Sequence, residues 1–431
     1  MPRRPYLPLR GIRVLSFEIA FSLPAGTRTL AELGAEVVRV AGPARAAGTY
    51  VAVIDGVFLS KPCVGINLKH EEGRAIARRL VAEADIVCNN FTPDTMAAFG
   101  LAPSDILAIR PDAIVAQVSG YGSPGPWANY PAYGPSTEAA GGLNALMGAA
   151  TDDPVRIGSG VFSDQLSGRF VALAILAALE RRRRTSEGQV IDLSMTEAIT
   201  TLLGPDIVRT QLTRHLPVRH GDRDAAFAPQ GVYPCAGDDS WIAISVKDDA
   251  QWAALVNLVA SPTLTRQAFA DAERRRAAHD AIDDPIRAWT ATQERFALAT
   301  LLQEHGIAAG PVRAPADAHF DDHLRDRDAF QRIQHEQPIL GYNEHPHLRN
   351  PWIVEGFQRA DLSDFRYTGA DNVRLLRKWL GLATKEVRRL AADGALLDVG
   401  ALLVTERPAA PGTPIDSDAP DRLALARAGA P

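Results

Sequence analysis

The feature that most constrains this chain is an alternation of short apolar runs with helically spaced segments between Gly11 and Gly122. GIRVLSF is β-branched and aromatic, AGTRTLAELG carries apolar residues at helical spacing, and EVVRV is again strand-like. Strand, helix and strand over roughly thirty residues make a βαβ unit, whose parallel strands require a right-handed crossover. The pattern continues with CVGINLK (63–69), the amphipathic EEGRAIARRLVAEA, DIVCNNF (85–91), the short helical TPDTMAAFG and PSDILAIR, and AIVAQVSGYG (113–122). Repetition of this kind predicts a doubly wound α/β sheet. Ligands of such sheets lie beyond the carboxyl ends of the strands, which places Asn89, Asn90, Phe91 and Ser119 to Gly122 near one.

The loop after the first strand, Glu18 to Pro24, reads EIAFSLP and has no G-x-G-x-x-G. A dinucleotide pyrophosphate needs glycines there to approach the backbone, so an ordinary nicotinamide or flavin enzyme is disfavoured. With 431 residues the chain exceeds the size at which single cores usually divide. A net charge of −5 offers no general attraction to nucleic acid or to an anionic membrane. Three separated cysteines, Cys63, Cys88 and Cys235, suggest neither a disulfide framework nor a thiolate metal site. MPRRPYLPLRGIRVLSF lacks a signal-peptide core, and the best apolar run, Phe170 to Leu179, is short for a membrane span. The expectation is a soluble, cytoplasmic protein.

Pro154 to Arg184 reads PVRIGSGVFSDQLSGRFVALAILAALERRRR, a glycine-serine turn that delivers Asp164 to the start of a long apolar helix. The spacing makes Gln165, Leu166, Ser167 and Gly168 its first turn. Positive charge at that end favours an ionised carboxylate by ~0.3–1 kcal/mol and depresses its pKa. Asp164 is then either an N-cap or a nucleophile. The four arginines 181–184 suit a solvated helix end.

Beyond the strand GQVIDLSM, RHLPVRHGDRDAAFAPQG marks a linker, and GVYPCAGDDSWIAISV predicts a hairpin turning near Gly237 and Asp238. Three helices and the strand IAAGPV complete a smaller α+β unit. EQPILGY and PWIVEGF look extended, His345 and His347 fall in the surface loop NEHPHLRN without a third metal ligand, and two helices follow. The predicted division is 1–212 for the first part of a large domain, 213–225 linker, 226–320 small domain, 321–404 return segment and remainder of the large domain, and 405–431 tail, whose Pro, Ala and Asp content predicts disorder.

In this order, GIRVL, LAELGAEVVRV, GINLKHEEGRAIARRLVAEADIV, NNFTPDTMAAFGL, VSGYGSPGP, RIGSGVFSDQLSG, LAALERRRRTSEGQVIDLSM, GVYPCAGDDSW, GIAAGPV and LLRKWLGLATKEVRRLAADGAL resemble the family III coenzyme A transferases, the CaiB-BaiF group. The resemblance implies a Rossmann-like large domain assembled from both ends of the chain, and a homodimer of interlocked rings. It implies transfer of CoA from an acyl-CoA to a carboxylic acid, with both as substrates and no permanently bound cofactor or metal. It also makes Asp164 the covalent nucleophile, passing through an aspartyl anhydride and an aspartyl-CoA thioester. Arg39, Leu68, Lys69, Asn90 and Phe91 fall at CoA-binding positions. Phe21, Tyr121, Gly122, Tyr133 and Glu138 fall around the acyl pocket. From the residues themselves, Arg39 serves equally as a solvated strand end, Asn90 as a turn closer and the tyrosines as core. The chain departs from the family at Ala41, at SKPC (60–63), at Gly134 and at Glu138, where many relatives carry Gln. An acyl-CoA racemase is disfavoured because its histidine falls at Tyr133. An intramolecular transferase and a non-catalytic subunit of a heteromer are the remaining alternatives.

Overall fold

In the computed structural model the strand-like runs form one six-stranded sheet: β1 (Arg13–Phe17), β2 (Glu36–Ala41), β3 (Cys63–Gly65), β4 (Ile86–Asn89), β5 (Ile114–Ser119) and β6 (Gln189–Ser194). The described residues are 7–42, 56–149, 151, 153–156, 158, 161–224, 226–339, 342–357 and 359–398, so the predicted tail falls outside them. Strand order is β3-β2-β1-β4-β5-β6, and every pairing is parallel. This is the doubly wound order, and its direction reverses between β1 and β4, which makes their carboxyl ends the natural crevice.

Because alternate residues of a strand face opposite sides, each strand feeds two cores. Helices are α1 (Ser22–Glu32), α2 (Glu71–Glu83), α3 (Pro93–Ala98), α4 (Pro103–Ile109), α5 (Gly134–Ala140), α6 (Phe162–Thr185), α7 (Met195–Thr200), α8 (Asp249–Val259), α9 (His279–Thr290), α10 (Arg295–Glu304), α11 (Asn372–Leu380) and α12 (Thr384–Ala392). On one face Leu15, Phe17, Val38 and Val64 pack with α2, α11 and α12. On the other Val14, Val37, Ile86 and Ile114 pack with α1 and α6. Residues 372–392 thus cover a sheet begun at residue 13. Asp371 and Asn372 bind the N–H groups of Cys63 and Gly65, both at 2.9 Å, and so tie α11 to edge strand β3.

The predicted hairpin forms from β7 (Gln230–Pro234) and β8 (Trp241–Ser245), and IAAGPV supplies β9 (Ala308–Pro311) antiparallel to β8. Tyr233, Ile242, Trp252, Ile282 and Leu298 make a core of their own beneath α8, α9 and α10. Arg223, in the predicted linker, reaches Asp280 at 2.6 Å and Asp283 at 2.7 Å.

The return segment differs from the sequence reading. Its strands are β10 (Phe330–Ile339) and β11 (Tyr342–Leu348), paired antiparallel, and 351–357 forms no strand. His345 and His347 therefore lie on β11 rather than in a surface loop. His347 is buried, with its Nε2 3.5 Å from Nε2 of His335 on β10. Burial pushes its pKa down to about 4, with the neighbouring His335 and Arg28 contributing. Arg182 is also not simply solvated: it reaches the Asp85 carbonyl and carboxylate, both at 3.2 Å. Contrary to the short apolar run read from sequence, α6 is long and apolar enough to cross a membrane by length and composition. Here it lies against the sheet and α1, as core helices of that composition also do.

Candidate active site

Two helix starts meet at the carboxyl edge of the sheet. α1 follows directly from β1, and α6 crosses it where Gly26 and Gly168 remove the side chains. A Cβ on Gly168 would lie 2.8 Å from the Ser22 carbonyl oxygen and 2.8 Å from the Ala25 Cβ. That contact sets the first turn of α6 beside the first residue of α1. The backbone N–H groups of Ser22 and of Asp164 itself consequently lie where they favour the ionised Asp164 carboxyl.

Asp164 is 7% exposed. It is the third residue of α6, whose N-cap is Val161, so it is not the cap that the sequence spacing predicts. The expected depression of its pKa is also reversed. Burial, and then the neighbouring Glu138 charge, push it up to about 6 against the two backbone N–H groups. The electrostatics of a helix start are a fraction of a kcal/mol to a kcal/mol, and desolvation of a carboxylate exceeds that.

Glu138 on α5 is fully buried, and its Oε1 accepts the Ser163 N–H at 3.2 Å. Its Oε2 is buried and has no hydrogen-bond partner among the described residues. Thr137 and Ser163 share a hydroxyl hydrogen bond of 2.8 Å, which fixes α5 against α6. Tyr133 is the N-cap residue of α5 and is 66% exposed, so its phenol lies outside the core. Tyr121 packs edge-on with Trp127 and Tyr130. Gly122 (φ +73°) turns the chain after β5 and donates to Ser119 Oγ at 3.0 Å. Phe21 caps α1 and is buried with Phe58 and Phe365.

Asn90 closes the crevice. Its side chain receives the Ile19 N–H at 2.9 Å and donates to the Ile19 carbonyl at 2.7 Å, clamping the loop after β1 to the end of β4. Phe91 and Leu68 are half-buried against the sheet core, and Lys69 is exposed. Arg39 is not solvated. It is 7% exposed, stacks 4.4 Å over Phe58 and donates to the Arg366 carbonyl at 2.7 Å, leaving Nε without a partner among the described residues. The structure thus joins Asp164, Glu138, Phe21 and Asn90 around the start of α1, and leaves Arg39 on β2 and Lys69 in the turn after β3.

Sequence reasoning missed one cluster here. Glu18, in the loop after β1, is bonded by Lys61 at 2.7 Å, Ser16 at 2.7 Å and Thr27 at 2.6 Å. Lys61 also donates to the Pro24 carbonyl and to Thr27. Burial lowers the Lys61 pKa to about 8, partly opposed by Glu18. The only sequence signal was a lysine in an otherwise apolar stretch, 43 residues from its partner.

The arrangement matches known proteins. The profile of CoA-transferase family III covers residues 9–360. The chain belongs to CoA-transferase family III. It is 32% identical over 350 residues to succinyl-CoA–D-citramalate CoA-transferase of Chloroflexus aurantiacus, covering 79% of this chain and 86% of that protein. It is 31% identical over 399 residues to Rv1866 of Mycobacterium tuberculosis, which bears a provisional CoA-transferase name; that match covers 89% of this chain and 50% of the longer relative. A crystal structure of a CaiB/BaiF family protein from Brucella suis superimposes with TM-score 0.78 at 26% identity, over 87% of this chain and all of that one. The expectation of an enzyme of this family stands with these relatives.

Proposed function

We propose that this protein moves coenzyme A from an acyl-CoA thioester to a carboxylic acid, with Asp164 as the covalent nucleophile. The observation that carries the reading is a buried carboxylate at the carboxyl edge of the sheet that, among the described residues, has no salt-bridge partner. Such a group is more basic than a solvated aspartate, and the Ser22 and Asp164 N–H groups that favour its charge also suit the oxyanion of a tetrahedral intermediate. Asp164 attacks the thioester carbonyl to form a mixed anhydride and CoA thiolate. The thiolate then attacks the Asp164 carboxyl, giving an aspartyl-CoA thioester and the free donor acid. The acceptor acid runs the two steps in reverse. The thioester energy is conserved throughout, so the exchange needs no hydrolysis of another group.

Lys69, Leu68, Phe91, Asn90 and Arg39 are proposed to line the CoA site, with Lys69 the accessible cation for a phosphate. Asn90 would act by holding the loop after β1, and Arg39 would have to leave the Arg366 carbonyl to bind a phosphate directly. Phe21, Tyr121, Gly122, Tyr133 and Glu138 are proposed to shape the acyl pocket, and dicarboxylic acyl groups such as those in the name of the Chloroflexus relative are the first donors to try. We also propose a homodimer of interlocked rings with the large and small domains divided as the sequence suggests. Exposed Phe170, Leu173, Ile207, Val208 and Leu212 support a second copy as their cover.

Incubation with acyl-CoA followed by hydroxylamine or borohydride and mass spectrometry tests the reading. Modification is expected at Asp164 in the wild type, with transfer lowered about 10³-fold or more in Asp164→Ala, on the scale of other lost nucleophiles. An alanine variant that transfers CoA at the wild-type rate would sink it.

A further inference from the structure

Among the described residues, Glu138 is the acid whose charge raises the Asp164 pKa. The elements packed on α6 near its start bring few others. Arg28 and Glu32 of α1 pair with each other at 2.8 Å. Asp192 of β6 accepts the Ser123 N–H at 2.7 Å, and Glu197 lies on α7. Arg169, one turn on in α6, donates to Thr29. Glu138 is anchored on the amide that precedes Asp164, yet its second oxygen is buried and unbonded. A buried acceptor left in this way costs free energy, so its retention beside a reacting group calls for a role.

We infer that Glu138 is a positioning residue that drives acylation of Asp164, because its charge repels the free Asp164 carboxylate and is relieved once Asp164 becomes an anhydride or a thioester. The inference rests on the reading of Asp164 as the nucleophile. In the first step the Asp164 Oδ to acyl-carbon bond forms, the thioester C–S bond breaks, and its electron pair leaves on the CoA sulfur. In the second the sulfur bonds Asp164 Cγ and the Cγ–O bond breaks, its pair departing with the donor acid as a carboxylate. No proton moves, and Asp164 carries a charge only in the free enzyme. Repulsion by Glu138 therefore raises the free enzyme relative to both covalent states. It also makes the attacking oxygen more basic.

The test is the pH dependence of aspartyl-CoA thioester formation, together with the fraction of enzyme held as thioester at fixed acyl-CoA and free acid. In the wild type the acid limb is expected near pH 6, where burial and Glu138 hold the Asp164 carboxyl. In Glu138→Gln, which keeps the acceptor for Ser163 N–H, the limb should fall by about one unit and the thioester-to-free-enzyme ratio about tenfold. Glu138→Asp should restore much of both. An unchanged limb and ratio in folded Glu138→Gln overturns the inference while leaving the nucleophile intact. So does a wild-type limb near pH 4, which needs no variant at all. A wild type that forms no adduct on Asp164 overturns the nucleophile itself and the inference with it.

Discussion

Glu18 and Glu138 are both buried acids near the carboxyl edge of the sheet, and the fold treats them in opposite ways. Glu18 is surrounded by Lys61, Ser16 and Thr27, with both oxygens bonded. Glu138 has one N–H and, among the described residues, an unbonded oxygen, and its charge bears on another carboxylate, Asp164. The first arrangement costs two desolvated charges and returns a rigid loop after β1. The second leaves repulsion in place at the atoms proposed to react. Neutralised charge builds the scaffold here, and charge left without a cation marks the chemistry.

The comparison breaks most plainly at Lys61. Lys61→Met strands the Glu18 carboxylate in the core, and loss of one partner from a buried pair costs about 3–5 kcal/mol. Thermal or urea melts should show that loss, and Glu18→Gln combined with Lys61→Met should recover part of it because no lone charge remains. Glu138→Gln, by contrast, should not lower the melt, since it relieves repulsion in the free enzyme, while it moves the pH profile. If Lys61→Met melts as the wild type does, Glu18 is not held as the structure has it.

A smaller effect is expected at Gly168, which links the two regions. Its replacement by Ala puts a Cβ 2.8 Å from the Ser22 carbonyl and 2.9 Å from the Gly26 nitrogen, backbone atoms that yield only if α1 and α6 separate. Overpacking of this kind costs about 1–3 kcal/mol, offset by up to ~1 kcal/mol from the better helix propensity of Ala. Moving α6 also moves Asp164 away from the Ser22 N–H. The acylation rate should therefore fall further than the melt implies, whereas Lys61→Met should lower stability first. Equal loss of both in the two variants would erase the distinction.

What the sequence reveals of this follows from the range of each interaction. The alternation from Gly11 to Gly122 places the strands of the sheet because a strand buried on both faces must be apolar along its length. Asp164 is legible because its turn and helix form one continuous motif. Its pKa direction is not, since the burial that reverses it comes from α1 and α5, segments remote from it in the chain. Lys61 and Glu18 meet only after β1 and β3 are in one sheet. The hairpin of β10 and β11 escapes apolar pattern reading because Gln331, Arg332 and Gln334 fill it, and pairing with Glu344 to Leu348 decides its extent.

His347 extends the comparison from acids to a base. Burial lowers its pKa from 6.5 to about 4, so the folded protein binds a proton there less readily than the unfolded chain. Stability from the neutral form is complete above pH 6.5 and is lost as pH falls toward 4, because the unfolded chain takes up the proton first. At pH 5.5 the loss is about 1 kcal/mol relative to pH 7.5. Hydrogen exchange of the β10–β11 amides at the two pH values reads it, after correction for intrinsic rates. His347→Gln should flatten the difference, since nothing remains at that position to titrate. Persistence of the full pH effect in His347→Gln would move its origin to another group of the hairpin.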